Sequence, residues 1–90
     1  MSNDQMLMTA KATVMRYYKE VGKEDVTAED IYIVWFCKTL QNWKALVSTV
    51  YPDSMYFEVT YDGDKKRVYF DAYQKQKNIV MEVEETDNEP

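Results

Sequence analysis

The chain has no histidine, one cysteine, two glycines and two prolines in 90 residues. Without histidine, and with the single thiol Cys37, a zinc site of the usual Cys/His kind is excluded, and so is an intrachain disulfide. Gly22 and Gly63 are too far apart to build a Gly-rich phosphate loop. No stretch approaches the roughly 18 apolar residues of a membrane helix, and the opening Met-Ser-Asn-Asp lacks the basic and apolar regions of a signal peptide. Together these absences lead us to expect a soluble cytoplasmic protein with no membrane association, no metal and no cofactor.

Basic residues are missing from the end of the chain. Residues 82–90 hold Glu82, Glu84, Glu85, Asp87 and Glu89 and no Lys or Arg, which accounts for the whole net charge of −5. The remaining body is neutral, so neither a general polyanion-binding surface nor a general DNA-mimicking one is expected. We therefore divide the chain into a single domain over 1–81 and an acidic, disordered tail over 82–90. What is abundant is apolar and aromatic surface, 46% and 14% of the residues, enough for one small core.

Leu7, Ala10, Val14, Tyr17 and Val21 recur at spacings of three and four, the stripe of an amphipathic helix. Asn3 or Asp4 can cap it, and Gly22 stands where a left-handed terminating residue is wanted. The charged connector 23–30 contains Thr27-x-x-Asp30, an imperfect helix start. Residues 31–50 fit either a helix or two strands; their β-branched and aromatic content favours two strands, with Gln41-Asn42 as the turn.

Two further strands are clearer. Tyr51-Pro52-Asp53-Ser54 turns into MYFEVTY, and the Asp-Gly-Asp-Lys turn at 62–65 leads into KRVYFDAY. This turn pairs Val59 with Val68 and Phe57 with Phe70 on one face, and Tyr56 with Asp71, Glu58 with Tyr69 and Thr60 with Arg67 on the other. Carried back, the pattern puts Ile33, Trp35, Cys37, Leu46, Ser48 and Val50 on the core face. The expected fold is α+β: one N-terminal amphipathic helix on one face of a four-stranded antiparallel meander. Asn78-Ile-Val-Met-Glu-Val offers a short fifth strand for a sheet edge or for another chain.

One helix cannot cover both faces of a sheet. The second face, expected to carry Phe36, Trp43, Tyr56, Glu58, Arg67 and Tyr69, has the composition of a protein-contact surface, for a partner or for a second copy. Alternatively, residues 23–30 and the C-terminal run fold over it, or 31–50 is a helix. The Lys65-Lys66-Arg67 cluster beside Tyr56 and Tyr69 offers a second reading, a hairpin that holds single-stranded nucleic acid. Glu58 with Asp71, and Asp62 with Asp64, read as cross-strand and turn chemistry rather than as catalytic or calcium-binding acids. No catalytic residue is assigned, and Cys37 reads as a small buried hydrophobe.

The segments VWFCKTLQNWKALVST (34–49) and YFEVTYDGDKKRVYFDAYQKQKN (56–78) resemble a family of small proteins of unknown function encoded by phages and prophages of Gram-positive bacteria. KTLQNWKAL, EVTYDGDK and the spaced Tyr, Asp and Tyr of the last strand carry the resemblance, which covers about half to two thirds of the chain. It implies a phage protein made in the host bacterial cytoplasm, where modulating or inhibiting a host or defence protein is a common task. It carries over no functional residues.

Overall fold

Ser2 opens the first element. Its hydroxyl accepts from the Gln5 N–H at 3.2 Å, and the Gln5 side-chain oxygen accepts from the Ser2 N–H at 2.8 Å, a reciprocal capping box one residue ahead of the expected cap. The computed structural model describes residues 1–85, so the part of the expected tail over 86–90 lies outside the described residues. Helix α1 runs Asn3–Glu20. Gly22, at φ +82°, ends it: Gly22 N–H donates to Lys19 C=O and Lys23 N–H to Tyr18 C=O, the paired bonds of a Schellman motif. The buried row is Met6, Ala10, Val14 and Tyr18, with Tyr17 half-buried and Val21 exposed.

The connector sends Val26 into the core, and Thr27 with Asp30 caps a single 3-10 turn over Ala28–Asp30. Four strands follow: β1 (Ile31–Thr39), β2 (Asn42–Thr49), β3 (Met55–Asp62) and β4 (Arg67–Gln74), an antiparallel meander in the order β1-β2-β3-β4. The fold is thus the expected α+β arrangement, and 31–50 is two strands. Helix α1 lies against β1, β2 and β3 on one face. Between them Tyr18, Ile31, Val47, Phe57 and Val59 are fully buried, and Phe57 meets Tyr17, Tyr18 and Phe70 at ring separations of 5.3, 5.6 and 5.5 Å. Each such burial stabilises the fold by roughly 1.5–3 kcal/mol.

Three registers differ from expectation, each for a local reason. The β2–β3 connection takes five residues, 50–54, with Ser54 at φ +59° and Val50 left exposed. Asp53 holds it, accepting from Met55 N–H at 3.1 Å and from the Tyr18 hydroxyl at 2.7 Å. The extra residue slips β2 by one, and a one-residue slip exchanges the faces: Trp43, Ala45, Val47 and Thr49 are buried, while Leu46 and Ser48 face away from α1. In β1 a bulge between Ile33 and Trp35 changes the alternation mid-strand. Ile31 and Ile33 face the core before it and Phe36 does so after it, which leaves Trp35 and Cys37 exposed.

The third difference preserves the faces. The β3–β4 loop is 63–66 rather than 62–65 or Gly63-Asp64, so Asp62 pairs with Arg67, Val59 with Phe70, Glu58 with Asp71 and Tyr56 with Tyr73. Asp62 decides it by accepting from the N–H groups of Asp64 and Lys65 at 3.0 and 3.2 Å, while Lys66 takes φ +52°. The β1–β2 turn likewise falls at Leu40-Gln41, with Leu40 at φ +57°, instead of Gln41-Asn42. Residues 75–85 form no strand and are exposed.

Candidate functional site

The corrected registers define the face opposite α1. β1 contributes Tyr32, Trp35 and Cys37, β2 Lys44, Leu46 and Ser48, β3 Tyr56, Glu58 and Thr60, and β4 Arg67, Tyr69, Asp71 and Tyr73. Cross-strand pairing aligns these in rows: Tyr32, Ser48, Tyr56 and Tyr73; then Trp35, Leu46, Glu58 and Asp71; then Cys37, Lys44, Thr60 and Tyr69. Trp35 is 48% exposed, Tyr32 47% and Tyr69 45%, and among the described residues no helix or loop is packed over the face.

Six residues were expected on this face. Tyr56, Glu58, Arg67 and Tyr69 lie there, but Trp43 is only 3% exposed and belongs to the core beneath α1, stacked on Tyr61 at 5.6 Å. Phe36 accompanies it, half-buried and 5.9 Å from the Trp43 ring. Both are corrections, caused by the slip in β2, which the β1–β2 pairing passes on to Phe36 opposite Ala45. Cys37 is corrected the other way, from core to exposed surface. Sequence reading missed Trp35, Leu46, Lys44 and Tyr73 as face residues. The only advance signal for Trp35 was the surplus of large side chains in β1, more than one alternating face could hold.

The face is held in shape by its own contacts. The Tyr56 and Tyr73 rings stack at 5.1 Å and 13°. Glu58 sits between two donors, the Tyr73 hydroxyl at 3.3 Å and the Lys44 ammonium at 3.8 Å. Its negative charge is the main reason that the Tyr73 phenol is raised above its ordinary range, with Asp71 adding to it. Lys44 and Arg67 thus share the face with Glu58 and Asp71, so charge is mixed and no sign dominates. Lys65 and Lys66 sit in the β3–β4 loop at one corner, adjoining Arg67.

Among the described residues no group of three or more His, Cys, Asp or Glu is placed to hold a metal ion. No helix among the described residues is long and apolar enough to cross a membrane. What the arrangement offers chemically is a flat aromatic platform with hydrogen-bonding phenols and two charges of each sign.

Residues 7–83 match the model of a family of unknown function, DUF6275. The chain belongs to this family. No curated protein and no solved structure matches it.

Proposed function

We propose that this member of the DUF6275 family is a small non-enzymatic binding module that grips a protein partner with the open face of its sheet. In line with the phage and prophage resemblance of its strand segments, we read it as a phage protein that modulates or inhibits a host or defence protein in the bacterial cytoplasm. One observation carries the reading: a four-stranded sheet has one face packed by α1 while the other, bearing Trp35, Tyr56, Tyr69 and Tyr73, has no other described residue packed over it. An unbacked apolar face of this kind is expensive to leave in water unless it is used. Tyr, Trp and Arg are the side chains that dominate interface energetics, and the mixed charge around them suits a protein better than a polyanion.

The test is affinity capture from nuclease-treated lysate of a Gram-positive host, comparing the wild type with Trp35→Ala and Tyr56→Ala. A protein retained in stoichiometric amount by the wild type, and lost from both variants while their circular dichroism is unchanged, supports the reading. The same protein retained by both variants would rule out the open face.

A second reading, an accessory protein of phage replication or recombination that binds single-stranded nucleic acid, has one observation in its favour. Arg67 and Tyr69 stand side by side on the open face with Lys65 and Lys66 at the adjoining corner. It requires oligonucleotide binding at low salt that falls steeply as salt is raised.

A further inference from the structure

Two strands of the sheet have a free edge among the described residues, and they are not equivalent. The edge of β1 is interrupted by the bulge at Ile33/Trp35, a device that discourages pairing. The edge of β4 is eight residues long and pairs with β3 without a bulge. Lys75 N–H donates to Ser54 C=O, which continues the ladder so that odd-numbered positions bond to β3. By alternation the N–H and C=O groups of Val68, Phe70, Ala72 and Gln74 point to the free edge.

The chain carries one segment suited to that edge. Ile79, Val80, Met81 and Val83 are 63 to 85% exposed, in a run whose sequence alternates Ile79, Met81, Val83 with Val80, Glu82, Glu84. Laid antiparallel on β4 with Ile79 opposite Ala72, it places Met81 opposite Phe70 and Val83 opposite Val68. These apolar residues then extend the groove of about 620 Å³ between α1 and β4, whose floor is Val68 and Phe70. The same register sets Glu84 opposite Arg67 and Glu85 opposite Lys66, so apolar residues match on the α1 face and charge matches at the end, while on the open face Val80 falls opposite Asp71.

The chain's own β4 is poorly placed to receive it. In this register Gln74 would pair with Lys77, leaving Lys75-Gln76 as a two-residue hairpin loop. Such loops demand φ > 0 at one or both positions and strongly prefer Gly, Asn or Asp. The Lys75 bond to Ser54 also carries the backbone straight past the end of β4 rather than back along it. A second copy meets no such turn constraint. We infer that residues 79–85 of one chain add as a fifth strand to the β4 edge of another, and that two copies exchange these segments reciprocally about a two-fold axis.

The full chain with Cys37→Ser, Asp71→Cys and Val80→Cys tests this, since the two new thiols face one another in a non-hydrogen-bonded pair of the proposed register. Oxidation at the concentration of an NMR sample should yield a covalent dimer on a non-reducing gel, at twice the 10.7 kDa chain mass. In the otherwise native chain, sedimentation should show a dimer whose dissociation constant rises more than about tenfold with Met81→Pro, which removes a ladder donor without touching α1 or the four-stranded sheet. Reversing the charge in Arg67→Glu should weaken the dimer, and Glu84→Arg in the same chain should restore it. An intramolecular disulfide would show that the segment closes its own edge and would overturn the exchange. A monomer with no crosslink, or a dimer indifferent to Met81→Pro, would overturn it as well.

Discussion

Trp35 and Trp43 are the same residue type on neighbouring strands of one sheet, and they have opposite fates. Trp43 is 3% exposed beneath α1, while Trp35 is 48% exposed on the bare face. Trp43 is enclosed by the Phe36 and Tyr61 rings, at 5.9 and 5.6 Å, and its buried indole N–H meets no acceptor among the described residues. A buried donor with no acceptor is unfavourable by about 1–3 kcal/mol, so apolar packing must outweigh it there. Trp35 has no such enclosure, and its contribution to folding is correspondingly small. The side of the sheet, rather than the residue type, determines whether a tryptophan serves stability or remains available for binding.

Substitutions on the two faces should therefore separate cleanly. Trp43→Ala should destabilise the fold by about 3–5 kcal/mol, a large share of a small domain's stability, read as a shift in the denaturant midpoint. A loss below about 1 kcal/mol would mean that the covered face has been misassigned. Tyr18→Phe, at the same covered face, should be weaker, about 1 kcal/mol for the hydrogen bond to Asp53. Burial, reinforced by that carboxylate, raises the Tyr18 phenol well above its ordinary range. Because the folded-state value is the higher one, the stabilisation is fully present below about pH 10 and is lost as pH rises beyond it. The wild type should lose stability through this alkaline window, and Tyr18→Phe should lose less.

On the open face the effects on folding shrink. Trp35→Ala should change stability by no more than about 0.5 kcal/mol while abolishing capture of the partner. Cys37, being exposed, should react with a thiol reagent in the native protein without denaturant. Glu58→Gln should leave the fold intact and lower the Tyr73 phenol toward its ordinary range, followed by the phenolate absorbance of the variant beside the wild type, since the Glu58 charge is the leading cause of that shift.

Most of this architecture was legible in the sequence, and the misreadings have one physical origin. Helix α1, its glycine stop, the Thr27-x-x-Asp30 cap and the four-strand meander follow from periodicity and turn residues. Strand side chains alternate with period two, so a two-residue slide, as in the loop at 63–66, leaves both faces unchanged and the hydrophobic pattern cannot detect it. A one-residue change is the opposite case. The fifth residue in the loop 50–54 reversed the face of β2 and, through the β1–β2 turn, of the adjoining half of β1, moving Trp43 and Phe36 into the core and Trp35 and Cys37 out of it. The bulge after Ile33 reversed the alternation once more and kept Ile33 in the core. Those reversals were not written in the alternation of β2, where Trp43, Ala45, Val47 and Leu46, Ser48, Val50 both read as plausible inner faces. They depend on Asp53, which anchors the loop through Tyr18 on a helix 35 residues away in sequence. Tyr56, Glu58, Arg67 and Tyr69 were placed correctly because the hairpin that carries them erred only by two.

The most direct test of a sheet with one covered and one bare face is acrylamide quenching of the two tryptophans separately, in Trp35→Phe and Trp43→Phe. The fluorescence of Trp35, the one left in Trp43→Phe, should be readily quenched, as suits a half-exposed indole, and that of Trp43, left in Trp35→Phe, should be strongly protected. Equal protection of the two would contradict the bare face, and with it the assignment of that face to a partner.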